Sequence, residues 1–214
     1  MDIFKQISDS LNQGEAEKAA EFTEQAIAQK IAAKTILDQG LIAGMNIIAK
    51  KFKEHQVFLP EVLLAARAMH AGLEKLKPLL IREGVPIKGK VVLGTVQGDL
   101  HDIGKNLVGI LLQGAGYEVI DIGHDAPPAR FVETAKKEGA GVIAMSALLT
   151  TTMPMMKQAI ALLREDNPGG SIKTLIGGAP VSQEYAEKIG ADAYGFDGTS
   201  AVECVAGLTE GGKK

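Results

Sequence analysis

The residues best suited to chemistry fall in one run, Gly98-Asp99-Leu100-His101-Asp102-Ile103-Gly104-Lys105-Asn106. Its Gly-Lys pair invites comparison with a phosphate-binding P-loop, but that motif has four residues between its glycines and Ser or Thr after the lysine. Here five residues separate Gly98 from Gly104, and Asn106 follows Lys105. No G-x-G-x-x-G dinucleotide fingerprint is present. What remains is Asp-x-His-x-x-Gly. A histidine in such a turn suits a metal ligand or a base. Asp99, two residues earlier, can accept a hydrogen bond from the second ring nitrogen, the partnership that orients ligating histidines. Gly104 permits close approach where a helix begins. Taken alone, the motif equally fits a surface turn whose Asp and His cap a helix. His55, His70 and His124 make no paired-ligand spacing with His101, and Cys204 is the sole cysteine, so nothing supports a zinc site.

The elements that must position this run come in two kinds. Up to about residue 82 the periodicity is helical. Ile36, Leu37, Gly40, Leu41, Gly44, Ile47, Ile48 and Phe52 recur at three-to-four spacing, as do Leu59, Val62, Leu63, Ala66, Met69, Leu73, Leu76 and Leu80. Segments 2–12 and 15–31 are also amphipathic, so a small antiparallel four-helix bundle is expected. Residues 83–90, with two glycines, a proline and charges, look like a linker and plausible hinge. Short β-prone runs follow at 91–96, 117–122, 141–145, 173–176 and 192–194. Helical segments separate them at about 104–115, 127–138, 153–165, 182–189 and 199–208. That alternation implies an α/β domain with a parallel, flavodoxin-like (Rossmann-like) sheet in the order 2-1-3-4-5, covered by helices on both faces. The expected domains are a helical cap over 1–86 and an α/β domain over 87–214.

In such sheets ligands sit beyond the carboxyl ends of the strands. After the third strand come Ser146-Ala147-Leu148-Leu149-Thr150-Thr151-Thr152, with hydroxyls at 146, 150 and 152. After the fourth come Gly177-Gly178-Ala179-Pro180, and after the fifth Gly195-Phe196-Asp197-Gly198. Each has an ordinary explanation as a cap or turn. Together they describe a slot along the sheet edge that suits a bulky ligand.

Asp99-x-His101-x-x-Gly104, Ser146-x-Leu148 and Gly177-Gly178 resemble the cobalamin-binding module of methionine synthase and of the corrinoid proteins of methyltransferase systems. The helical half resembles the cap of the same proteins, at 44–52, 57–62 and 66–69, and the resemblance covers roughly residues 5–208. It implies that His101 binds cobalt from below in place of the cofactor's own base. That base and its tail would lie along Ser146, Leu148, Thr150 and Gly177-Gly178, bounded by Gly98, Leu100, Asp102, Ile103, Gly104, Ala179, Asp197 and Gly198. Asp99 would hold His101, and Thr152 would stand where the relay usually has serine. Phe52 and Leu59 match side chains that cover the upper corrin face, and Asp38 matches a cap carboxylate. The implied role is a non-catalytic methyl carrier loaded with cobalamin or a related corrinoid (methylcobalamin). It would serve a substrate:corrinoid methyltransferase and a second methyltransferase acting on tetrahydrofolate or a thiol cofactor, with a reductive activase as a further partner. A free histidine titrates near about 6.5, so release of His101 from the metal with uptake of a proton is accessible near neutral pH.

Bulk properties bound the alternatives. Apolar residues make up 46% of 214, charged residues 23%, and the net charge is -3. With no basic block, nucleic-acid binding is not expected. No apolar run is long enough to cross a bilayer, and the start lacks a secretion-signal layout, which fits a cytoplasmic protein. Competing readings are the cobalamin subunit of an adenosylcobalamin mutase, a corrinoid-binding regulatory module, and a flavodoxin-like signalling domain without metal. The helical cap argues against the first, and no DNA-binding or signalling segment supports the second. Methanol, methylamine and methoxylated-aromatic donors are not distinguished by the sequence.

Overall fold

The computed structural model describes residues 2–85, 88–166 and 170–210. Two compact units are present, Met1–Pro86 with Gly114–Gly116, and Ile87–Gln113 with Tyr117–Lys214. The expected linker falls partly on Pro86 and Ile87, which lie outside the described residues, as does the tail from 211 onward.

The first unit is helical. Helix α1 (Ile3–Asn12) starts at Asp2, whose Oδ1 accepts the Phe4 N–H at 3.1 Å, and buries Ile3, Ile7 and Leu11. Helix α2 (Ala16–Ala28) and the 24-residue α5 (Leu59–Arg82) pack together. The Phe58 N–H at the start of α5 donates to Glu61 Oε2. Where the periodicity predicts one regular helix, the structure has α3 (Ala33–Thr35), a π-helical segment (Ile36–Ile42) and α4 (Ala43–Lys53) running on without a break. The stripe explains the difference. Ile36, Gly40, Gly44 and Ile48 are spaced by four, more than the 3.6 residues of an α-turn. A wider π turn compensates for that drift. As a result Gly40 lies against Ile7 and Gly44 against Ser8 and Leu11 of the same neighbour, α1. Glu83 closes the unit by accepting the Ala33 N–H at 2.8 Å.

The second unit is a doubly wound α/β domain. Its described strands are β1 (Lys90–Thr95), β2 (Glu118–Asp121), β3 (Val142–Ser146), β4 (Lys173–Gly177) and β5 (Ala193–Gly195). All pair in parallel in the order 2-1-3-4-5, as the sequence predicts. On one face α7 (Pro128–Glu138), α8 (Pro154–Asp166) and α9 (Gln183–Ile189) bury Phe131, Met156, Ile160 and Leu163 against Val92, Ile143 and Ile176. On the other, α6 (Ile103–Gly114) lies against Leu93, and α10 (Gly198–Glu210) packs beside α6 through Gly198 and Leu111. Thr95, Ser146, Gly177 and Gly195 are register partners across four strands. That row is the carboxyl edge of the sheet, where the candidate loops emerge.

Candidate functional site

The centre of the site is Asp99. It is fully buried, yet it is anionic by construction. Burial by itself would raise its pKa. The Leu148 N–H (2.7 Å), the His101 ring (2.8 Å), the His101 N–H (3.1 Å) and the Thr152 hydroxyl (2.9 Å) outweigh that effect and hold the carboxyl well below the usual carboxylate range. The Leu149 N–H adds a fifth donor at 3.1 Å. The Leu148 and Leu149 donors come from the loop after β3, the strand beside β1, so sheet order brings them to Asp99. Thr152 Oγ1 is also 2.8 Å from the Leu149 carbonyl. Its single proton goes to the carboxylate, because a charged acceptor makes the stronger bond.

An anionic Asp99 fixes the orientation of His101. A carboxylate only accepts, so Nδ1 carries a proton and Nε2 is the nitrogen left for a ligand. The side chain of His101 is 55% exposed while that of Asp99 is 0% exposed. Thr95 Oγ1 donates to the His101 carbonyl at 2.9 Å, fixing the backbone of the turn. The result is a rigid, outward-facing imidazole nitrogen at the carboxyl end of β1. Among the described residues no group of three or more His, Cys, Asp or Glu side chains could hold a metal ion. A metal here must arrive with most of its own ligands.

The strand ends around His101 are apolar and open. Leu100, Ile103, Leu148, Leu149 and Phe196 are 41–80% exposed, an unusual concentration of large apolar side chains on the rim of a folded domain. Thr199 Oγ1, in the first turn of α10, is buried without a hydrogen-bond partner among the described residues. An apolar rim, an orphaned hydroxyl at the start of α10 and one exposed imidazole nitrogen fit a large ring whose metal takes a nitrogen ligand.

The other sequence-based candidates divide. Gly98 has φ +82° and Gly104 faces open space on the first turn of α6, while the Asp102 carbonyl accepts the Asn106 N–H that begins that helix. Ser146 is half-buried, and Thr150 and Ala179 are exposed. Gly177 and Gly178, expected along the tail slot, are close to protein in the direction a side chain would take. A Cβ on Gly177 would lie 2.8 Å from the Gly195 carbonyl oxygen, and one on Gly178 (φ +122°) would lie 1.9 Å from that of Ala147. Close approach of the loops after β3, β4 and β5 therefore already demands glycine there. Asp197 shares reciprocal bonds with Ser200 at the start of α10, and Gly198 is buried against Leu111. Phe52 and Leu59 are half-buried in the helical unit. Asp38 is exposed within the π segment and ion-paired with Lys34 at 2.5 Å.

Sequence reasoning passed over Leu149, Phe196, Thr95 and the whole loop after β2. In that loop Asp125 reaches the Gly98 N–H, and beside it Lys105 of α6, only 3% exposed, pairs with Asp121 at the end of β2. The acidic residues at 121 and 125 that bracket the end of the second strand were the signal available.

Two B12-binding domain families match the chain, one over residues 3–77 and the other over residues 89–206. Trimethylamine corrinoid protein 1 of Methanosarcina mazei is 41% identical over 206 residues, 95% of each chain. Dimethylamine corrinoid protein 1 of Methanosarcina acetivorans is 48% identical over 168 residues, 78% of this chain and 79% of that one. The methanol:cobalamin methyltransferase complex of Methanosarcina barkeri superposes with a TM-score of 0.87 at 31% identity, covering 98% of this chain and 80% of that one. Fold and site thus define a cobalamin-binding α/β protein with a helical partner unit. The chain belongs to the B12-binding corrinoid proteins of methyltransferase systems, and its cofactor is cobalamin or a related corrinoid. Among the described residues no helix is long and apolar enough to cross a membrane.

Proposed function

We propose that this protein carries a methyl group between a substrate-specific methyltransferase and a second methyltransferase, with His101 as the lower axial ligand of the corrinoid cobalt. The observation that carries the proposal is the Asp99 cradle, in which a buried carboxylate fixes Nδ1–H and leaves Nε2 free on an exposed ring. When bound, the cobalt supplies the methyl-accepting and methyl-donating chemistry. The protein tunes access to it. His101 would offer Nε2 to the metal. Asp99 orients the ring through Nδ1–H, and Thr152 and the Leu148 N–H hold that carboxylate in place by hydrogen bonding.

Ser146, Thr150, Ala179, Asp197 and Gly198 border the slot proposed for the nucleotide tail. Leu100, Ile103 and Leu148 offer apolar contact to the ring. Phe52 and Leu59 of the helical unit are assigned to shielding its upper face, with Asp38 near the upper ligand. A methylamine is the proposed ultimate donor, since the tri- and dimethylamine corrinoid proteins are 41% and 48% identical to this chain. Tetrahydrofolate or a thiol is the acceptor class, and a reductive activase is the third proposed partner. The helical unit, itself matched by a B12-binding family, favours methyl carriage over an adenosylcobalamin mutase subunit.

The test is reconstitution with methylcobalamin, comparing wild type with His101→Ala. Wild type should show the visible spectrum of histidine ligation and the variant should lose it. Identical spectra, with the cofactor's own base still bound in both, would refute the assignment.

A further inference from the structure

Because β1 lies between β2 and β3 in the sheet, the loops after those strands flank the His101 turn on both sides. The β3 side supplies three donors to the Asp99 carboxylate, all to Oδ2. The β2 side grips the backbone. The Ile122 N–H donates to the Leu93 carbonyl (2.9 Å), the Thr95 N–H to the Gly123 carbonyl (2.9 Å) and the Ala126 N–H to the Thr95 carbonyl (3.0 Å). The grip ends on Asp125. Its N–H donates to the Asp99 carbonyl at 3.1 Å, and its Oδ1 accepts the Gly98 N–H at 2.7 Å. One residue therefore holds the Gly98–Asp99 segment at both ends. It does so with φ +52°, a left-handed conformation that costs a non-glycine residue strain.

We propose that Asp125 is a positioning residue for His101, fixing the backbone of Asp99 so that the carboxylate meets Nδ1 and aims Nε2. The inference rests on the reading of His101 as the cobalt ligand. If Asp125 were only a turn residue, glycine would serve better, because it adopts this φ without strain. The carboxylate sets Asp apart from Gly, since it takes an N–H that lies 27 residues away in sequence. Lys105, in the first turn of α6, pairs with Asp121 at the end of β2, so Asp125 acts on a segment already anchored at its helical end.

The experiment uses the full chain labelled with 15N-histidine, first without corrinoid. The His101 Nδ1–H signal is assigned by its loss in His101→Ala, and its hydrogen exchange is measured in Asp125→Asn, Asp125→Gly and Asp125→Ala. Asparagine keeps an acceptor and tolerates positive φ, so its rate should stay within about twofold of wild type. Glycine and alanine should exchange about three- to tenfold faster, as expected for losing one partly exposed charge-assisted bond. An Asp125→Gly rate indistinguishable from wild type overturns the proposal, and this variant should fold even where the alanine variant does not.

The same proteins are then loaded with hydroxocobalamin and reduced to the cobalt(II) form, and the 15N splitting in the electron paramagnetic resonance is read. Wild type and Asp125→Asn should show it fully and Asp125→Gly in a smaller fraction. An unchanged fraction in Asp125→Gly also counts against positioning. Absence of splitting in wild type refutes His101 ligation itself and leaves the exchange rates to decide on Asp125.

Discussion

Asp99→Asn is the sharpest perturbation of the site, because the geometry dictates what the new amide must do. Oδ2 accepts from Leu148 N, Leu149 N and Thr152 Oγ1, so that position must remain oxygen. The amide NH2 then takes the place of Oδ1, facing the His101 N–H and Nδ1. The His101 N–H loses its acceptor, which costs about 1–3 kcal/mol. Three remaining bonds lose their charge assistance, roughly 1 kcal/mol each. Removing a buried charge returns part of this. The depressed Asp99 pKa shows that the hydrogen bonds outweigh burial, so the sign is a net destabilisation of about 2–4 kcal/mol, visible in urea unfolding of the corrinoid-free protein.

The functional consequence follows from the same swap. An NH2 donates to Nδ1, which places the ring proton on Nε2 and removes the lone pair a metal needs. Restoring it would set two donors against each other at a cost of about 2 kcal/mol, or roughly 30-fold in His101 ligation. The tautomer is read from imidazole 15N shifts, and ligation from 15N splitting in the cobalt(II) form. An Asn variant that keeps the proton on Nδ1 and loads with undiminished histidine ligation would refute the reasoning.

Thr152→Val keeps the shape but removes a donor to a buried carboxylate, and should cost about 1–2 kcal/mol in urea unfolding, while Thr152→Ser stays near wild type. Gly178→Ala forces a Cβ to within 1.9 Å of the Ala147 carbonyl oxygen at φ +122° and should destabilise by about 3 kcal/mol or more, measured by thermal or chemical unfolding. Acid unfolding should show a contribution from Asp99. Because folding lowers its pKa, its stabilisation is fully present above the unfolded value of about 3.9 and is lost as pH falls from there toward the lower folded value. The gap in unfolding free energy between wild type and Asp99→Asn should therefore shrink below about pH 4.

The strands were legible in the sequence because unbroken runs such as Val91-Val92-Leu93 state that both faces are covered, and the sheet order followed from βα alternation. The π segment was not, since hydrogen-bond pitch leaves only a slight drift in an apolar stripe, here the four-residue spacing from Ile36 to Ile48. The Asp99–His101 pairing was also legible, because two residues of one short turn meet through local geometry alone. Tertiary structure alone decided that Asp99 would be buried, and that donors some fifty residues away would keep it charged. It also brought Asp125, in the loop after the strand on the other side of β1, to hold the turn. A sequence records residue types and near spacing, so it can name a ligand and its neighbour. The field at that ligand is set by which strands lie side by side, and that is fixed only when the whole sheet closes.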